Sequence, residues 1–179
     1  MPQGQEYGIL IYDVPVECKT LYNKILRKIR RRAIRMNLSV YLIPWGMRDS
    51  MQSLMDEAME ETGQSMTVNI IKFDSSSEEQ IELLAKESLR KAVRDAIERL
   101  SEKIRSVEEE AAEVSREYFE KTKSYLQDSE VLAGMFGFEQ DLQGVLGAAR
   151  RVYEREWEAR TERMRARAAE REARQQQAS

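Results

Sequence analysis

The sequence contains no histidine, one cysteine and three prolines in 179 residues. Without histidine the chain cannot form imidazole metal sites, Ser-His or Cys-His nucleophile pairs, or histidine-based pH switches. The single Cys18 excludes a disulfide within the chain and agrees with a reducing compartment. No run of 18 apolar residues is present, and no secretory signal pattern opens the chain. We therefore expect a soluble cytoplasmic protein with no membrane partner.

Charge is distributed unevenly along the chain. The whole chain has a formal net charge of −3, but residues 1–48 carry nine lysines and arginines against three acids. No acid occurs between Glu17 and Asp49. A basic block in an otherwise acidic chain predicts a polyanion-binding surface. The alternative is a solvated helix face that the acidic C-terminal helix neutralises.

Residues 1–74 show strand and amphipathic-helix patterns in alternation, which predict an α+β fold with a ferredoxin-like β-α-β-α-β head. A right-handed crossover is expected after the first strand. Both helices would cover one face of the sheet, so the other face needs either a second copy of the chain or the C-terminal helices, and a homodimer is favoured. The predicted elements are a strand at 7–12, a helix with an apolar stripe from Leu21 to Met36, a strand at 38–45, a helix from Asp49 or Ser50 to Gly63, and a strand at 65–73.

A helical extension is predicted for residues 75–179. It comprises a long helix at about 77–127, which Ser75 and Glu78 would cap, a turn at 128–138, a second helix at 139–172 and a frayed tail. A heptad seam in the long helix predicts self-association as a homodimer or higher oligomer, whereas an intrachain hairpin would also bury it. The seam residues are Val93, Ile97, Leu100, Ile104, Val107, Ala111, Val114 and Tyr118.

The IYD-VP element, the basic helix and the SVYLIP segment resemble two groups of proteins with ferredoxin-like folds. One group is the N-terminal domain of the chromate-resistance regulator ChrB, together with the middle domain of the PaaX transcriptional repressors. The other is the small CRISPR-associated adaptation protein, the second in the Cas series, with its VapD relatives. The resemblance covers residues 7–74. Proteins of the second group are normally about half as long and lack a long helical extension, and ChrB-like regulators are not defined by an acid at Asp13.

Asp13, at the end of the first strand, is the candidate catalytic and metal-binding residue. The resemblance to the second group implies divalent-metal binding at a dimer interface for phosphodiester cleavage. A lone acid from each of two subunits could hold one Mg²⁺ with water and phosphate oxygens. The alternative is that Asp13 caps the turn before Val14 and Pro15, as aspartate commonly does.

The basic helix predicts contacts with the phosphates of a DNA or RNA backbone. We therefore expect a dimeric nucleic-acid-binding protein with an architectural or regulatory role, whose helical extension mediates assembly or binds a partner protein. A Mg²⁺-dependent endonuclease and a purely structural assembly protein are the alternatives. Tyr12, Tyr41 and Trp45 are the candidates for stacking on single-stranded bases, too few to predict base reading. The candidate phosphate-binding residues are Lys24, Arg27, Lys28, Arg30, Arg31, Arg32 and Arg35.

Overall fold

The computed structural model describes residues 6–73, 78–109 and 113–177. It confirms the α+β class, a small antiparallel sheet with two helices followed by long helices. The elements in chain order are β1 (Tyr7–Asp13), α1 (Lys19–Ile29), β2 (Ile34–Asn37), β3 (Val40–Pro44), α2 (Arg48–Thr62), β4 (Thr67–Lys72), α3 (Glu78–Glu109), α4 (Arg116–Phe136) and α5 (Glu139–Gln177).

The chain forms two compact units whose boundaries fall inside helices. The head unit contains described residues from 6–92 and 128–143, and the helical unit contains those from 93–127 and 144–177. The predicted boundary at residue 74 therefore misses the share of α3, α4 and α5 that belongs to the head unit. Among the helices that the structure describes, none has the length and apolar character needed to cross a membrane.

The sheet has four antiparallel strands in the order β2-β3-β1-β4. With the element order β-α-β-β-α-β, this is the ferredoxin-like topology. Leu10 of the central strand β1 lies opposite Tyr41 of β3 on one side and opposite Ile70 of β4 on the other. Strands β1 and β2 both run antiparallel to β3, so α1 connects two parallel strands with β3 between them. The sequence analysis missed β2, so its prediction that the crossover leads directly to the strand at 38–45 is wrong.

One face of the sheet packs against α1 and α2 to form the core of the head unit. Leu10 and Tyr12 of β1 alternate with residues of the opposite face, and they pack with Ile25 of α1 and Met55 of α2. All four side chains are almost completely buried. Burial of this continuous apolar surface is the main force that holds the helices on the sheet.

Two helix ends in the head unit differ from the prediction and one agrees with it. Gly63 adopts a φ of +63° directly after α2, as a left-handed C-terminal residue should. The residue that precedes α2 is Met47, so the predicted caps Asp49 and Ser50 are wrong. Helix α1 ends at Ile29, and Met36 of its predicted stripe lies in β2.

The second face of the sheet is covered over β2, β3 and the start of β1. Ile34 of β2 and Leu42 of β3 are paired in register and fully buried there. The ring of Phe136 in α4 stacks on Tyr7 of β1, with centroids 5.9 Å apart and planes 8° apart. At the edge strand β4 the same face is open, since Ile71 is 55% exposed. The sequence analysis allowed either a second copy of the chain or the C-terminal helices to cover this face. Helix α4 of the same chain covers part of it.

Close packing around Gly8 in β1 leaves no space for a side chain. A Cβ there would lie 2.9 Å from Cε3 of Trp45 and 3.1 Å from the backbone oxygen of Ile71. We expect Gly8→Ala to lower the free energy of unfolding by about 1–3 kcal/mol, because the added methyl group would overlap the Trp45 ring and the backbone of Ile71. Urea denaturation measures the effect. Gly46→Ala is the control, because nothing lies within 4 Å of that Cβ position and its stability should stay within about 0.5 kcal/mol of wild type.

The heptad seam is buried inside the helical unit by the chain's own helices. Phe119 of α4 lies against Tyr153 and Trp157 of α5, at centroid distances of 5.9 and 5.2 Å. Because this intrachain packing already covers most of the described seam, those residues are not a free surface for a second copy. Ala111 lies outside the described residues. The buried seam members in this cluster are Leu100, Ile104, Val107 and Val114.

The predicted single helix from 77 to 127 is wrong, because residues 113–115 are not helical and a new helix begins at Arg116. Arg160 of α5 donates a hydrogen bond of 2.7 Å to the backbone oxygen of Val114 at this break. The predicted turn at 128–138 is also wrong in extent. Helix α4 continues to Phe136, and Gly137 ends it with a φ of +71°. The capping pair of Ser75 and Glu78 lies outside the described side chains.

Candidate nucleic-acid interface

The basic segment of the head unit divides between a helix, a turn and a strand. The backbone N–H groups of Arg32 and Ala33 both donate to the oxygen of Ile29, which closes α1 at that residue. Arg30, Arg31 and Arg32 therefore lie in the turn after α1, and Arg35 lies on β2. The prediction that one basic helix reaches residue 35 is wrong, since the chain must turn there to form β2.

Two lysines of α1 are neutralised by acids of the antiparallel helix α2. Lys24 forms an ion pair with Glu61, and Lys28 forms one with Glu57 and approaches Glu61 at 3.6 Å. We call the Lys24–Glu61 and Lys28–Glu57 pairs the α1–α2 ladder. The hydrogen bond from Lys28 holds the pKa of Glu57 below its ordinary value, so this carboxylate stays charged. The acids that neutralise these lysines therefore lie on α2, whereas the sequence analysis placed them on the C-terminal helix. Glu57 and Glu61 are four residues apart, as are Lys24 and Lys28.

Asp128 of α4 holds the two central arginines of the turn. Its carboxylate forms ion pairs with Nε of Arg30, at 2.6 Å, and with Nε of Arg31. The Asp128 side chain is only 6% exposed, whereas those of Arg30 and Arg31 are 41% and 57% exposed. A buried carboxylate requires such cationic partners. Sequence reasoning missed Asp128 because it is 97 positions from Arg31, in a segment predicted to be a turn.

Three arginines form no ion pair with any residue in the described ranges. Arg27 is exposed on the last turn of α1. Arg32 donates to the backbone oxygen of Lys28 at 2.6 Å, and Arg35 donates to the backbone oxygens of Asn37 and Leu38. These backbone bonds orient the two guanidinium groups without cancelling their charge. Each group keeps donors for an outside anion.

Asp13 is the last residue of β1. It is exposed and lies opposite Thr67 of β4 in the sheet register. Within the described part of the chain, no three His, Cys, Asp or Glu residues are grouped so that they could hold a metal ion. A single copy therefore shows no cluster of three such ligands that includes Asp13 within the described residues.

The predicted aromatic stacking residues are mostly inaccessible. Tyr12 and Tyr41 are buried in the head core, where the Tyr12 hydroxyl donates to that of Tyr41 at 3.4 Å. Burial raises the pKa of both phenols, so both remain protonated. Trp45 is half-buried, with cationic groups of Arg48 and Lys72 at 5.5 and 5.7 Å from its ring centroid. Base stacking on the two tyrosines is therefore excluded by their position in the core.

Comparison with known proteins does not assign the chain to a group. No protein family, curated protein or solved structure matches it. A ferredoxin-like head by itself is compatible with many unrelated functions, because function resides in particular sites. The charged groups and cavities of the head unit must therefore carry the functional argument.

Proposed function

We propose that the protein binds the phosphate backbone of a nucleic acid through the arginine segment of its head unit, defined as Arg27, Arg30, Arg31, Arg32 and Arg35. The observation that carries this proposal is the imbalance of charge. Three of these arginines have no carboxylate partner among the described residues, and the other two share Asp128 while remaining substantially exposed.

Guanidinium groups suit this role because their planar forks match phosphate oxygens and stay charged at all relevant pH values. Asp128 limits the motion of Arg30 and Arg31, so less side-chain freedom is lost when a phosphate binds. Each neutralised phosphate releases condensed counterions, which makes the affinity steeply dependent on salt. With Tyr12 and Tyr41 buried, the surface supports contact with the backbone rather than reading of bases.

Assembly and location remain predictions of this proposal. Homodimerisation and a cytoplasmic setting both agree with a small nucleic-acid-binding protein, and a mass measurement in solution tests the first. Partner proteins would contact the helical unit outside its buried seam, which includes Leu100 and Ile104. The nuclease alternative gains no support, because Asp13 belongs to no cluster of three metal-ligating residues in the described part of the chain.

The test of the proposal removes two unpaired charges without disturbing Asp128. We expect wild-type protein to bind mixed-sequence DNA or RNA, with log affinity falling linearly against log salt concentration. The double variant Arg27→Gln, Arg35→Gln should bind more weakly at every salt concentration. Its salt slope should be smaller by about 2, since each lost phosphate contact removes about 0.9. Fluorescence anisotropy across a salt series measures both quantities.

The matched control is Arg171→Gln, Arg174→Gln, which removes the same charge from exposed positions on α5. It should retain the wild-type slope. Equal weakening by the two double variants would mean that only net charge matters and would contradict a defined surface. Absence of any binding by wild-type protein at low salt would reject the proposal and favour a structural assembly protein.

A further inference from the structure

A cavity of about 570 Å³ opens between α1 and α2 in the head unit. It lies beside the last pair of the α1–α2 ladder, since Lys28 and Glu57 form part of its wall. Its lining is polar with one apolar exception. The lining residues are Lys28, Arg32, Ser50, Ser53, Leu54 and Glu57.

The spacing of the ladder explains why this cavity carries positive charge. Lysines at intervals of four on α1 meet acids at intervals of four on the antiparallel α2, as Lys24 meets Glu61 and Lys28 meets Glu57. Four positions beyond Lys28, in the turn after α1, lies Arg32, and four positions before Glu57 in α2 lies Ser53; both line the cavity. A serine thus stands where the ladder would place a third carboxylate.

The Arg32 guanidinium and two serine hydroxyls at this position have no carboxylate partner within the described residues. Arg32 forms no ion pair within the described ranges, and its NH1 group donates to a backbone oxygen. Across the same described residues, the hydroxyls of Ser50 and Ser53 make no hydrogen bond. Glu57, the acid in the wall, is already neutralised by Lys28. The cavity therefore offers a net positive charge and two free hydroxyl donors.

We propose that this cavity is a subsite for one phosphate group, held by the Arg32 guanidinium and the hydroxyls of Ser50 and Ser53. A phosphate group has several ionised oxygens and can accept a hydrogen bond from each of these donors. Such charge-assisted hydrogen bonds are stronger than those between neutral groups. The subsite deepens the proposed function and rests on it for the source of the phosphate, a nucleic-acid backbone. The same groups would also donate hydrogen bonds to free phosphate.

The test places a carboxylate at position 53, where it would form a third ion pair after the two pairs of the α1–α2 ladder. In Ser53→Glu the new carboxylate can pair with Arg32, so thermal stability should be unchanged or higher. Affinity for the oligonucleotide should fall about tenfold, the effect of losing a charge-assisted contact. The control Gln52→Glu adds the same charge one residue away, at a position that does not line the cavity, and should stay within about twofold of wild type.

Inorganic phosphate provides the second arm. In ¹⁵N-labelled full-length protein it should shift the amide signals of Arg32, Ser50 and Ser53, and those shifts should vanish in Ser53→Glu. If the oligonucleotide binds Ser53→Glu as tightly as Gln52→Glu, the subsite is overturned while the proposed function stands. If phosphate shifts these amides but no oligonucleotide binds, the subsite stands and the proposed function fails. If phosphate shifts none of them, the subsite is overturned.

Discussion

Replacing Phe119 by alanine is expected to lower the free energy of unfolding by about 3–5 kcal/mol. Phe119 has 0% exposure and lies at the centre of the helical unit, where it touches the rings of Tyr153 and Trp157. Truncation removes this ring from contact with both partners and leaves a cavity that rigid helices cannot collapse to fill. Urea denaturation followed by circular dichroism measures the loss.

The control on the same helix is Tyr125→Ala, since that ring is 55% exposed and its loss should cost less than about 1 kcal/mol. A Phe119→Ala variant as stable as Tyr125→Ala would contradict the packing of this cluster.

Replacing Phe136 by alanine is expected to cost a similar amount, about 3–5 kcal/mol, in the head unit. Phe136 is 1% exposed, stacks on Tyr7 of β1 and contacts Phe138 at a centroid distance of 5.8 Å. Its loss should uncover Tyr7 at the start of β1. Amide hydrogen exchange should then rise in β1 and β3, because local opening of the sheet becomes less costly.

Val131→Ala is the control within the same helix, because Val131 is 47% exposed. That variant should leave exchange in the sheet unchanged. If a second copy of the chain covered this face in place of α4, Phe136→Ala would behave like Val131→Ala. The comparison of the two variants therefore decides whether α4 or a second copy of the chain covers this sheet face.

Local sequence signals predicted those parts of the fold whose causes are local. The apolar run of β1 and the helix ending at Gly63 depend on neighbouring residues, and both appear as expected. Strand β2 was missed because it is only four residues long, and Met36 of its alternating IRMN pattern also continues the apolar stripe of the preceding helix. The break at 113–115 contains neither glycine nor proline, and its visible support is a tertiary bond from Arg160.

The candidate site shows the same division. The positive charges of Arg27 to Arg35 are evident in the sequence, but their partners are not. The acids Glu57 and Glu61 oppose α1 only because α2 packs antiparallel beside it, and Asp128 reaches the arginines from another helix. A heptad pattern such as that from Val93 to Tyr118 likewise specifies an apolar stripe without specifying which helix will cover it.

The stacking of Phe136 on Tyr7 also determines when the head can be completed during synthesis. The two residues are 129 positions apart, so the ribosome must add most of the chain before the second sheet face can close. Until then Tyr7 would lack its stacking partner in the nascent chain. Contacts of such long range slow folding, and the exposed apolar face invites association. We expect chaperone engagement of ribosome-bound chains that end before α4 and its release once α4 has emerged.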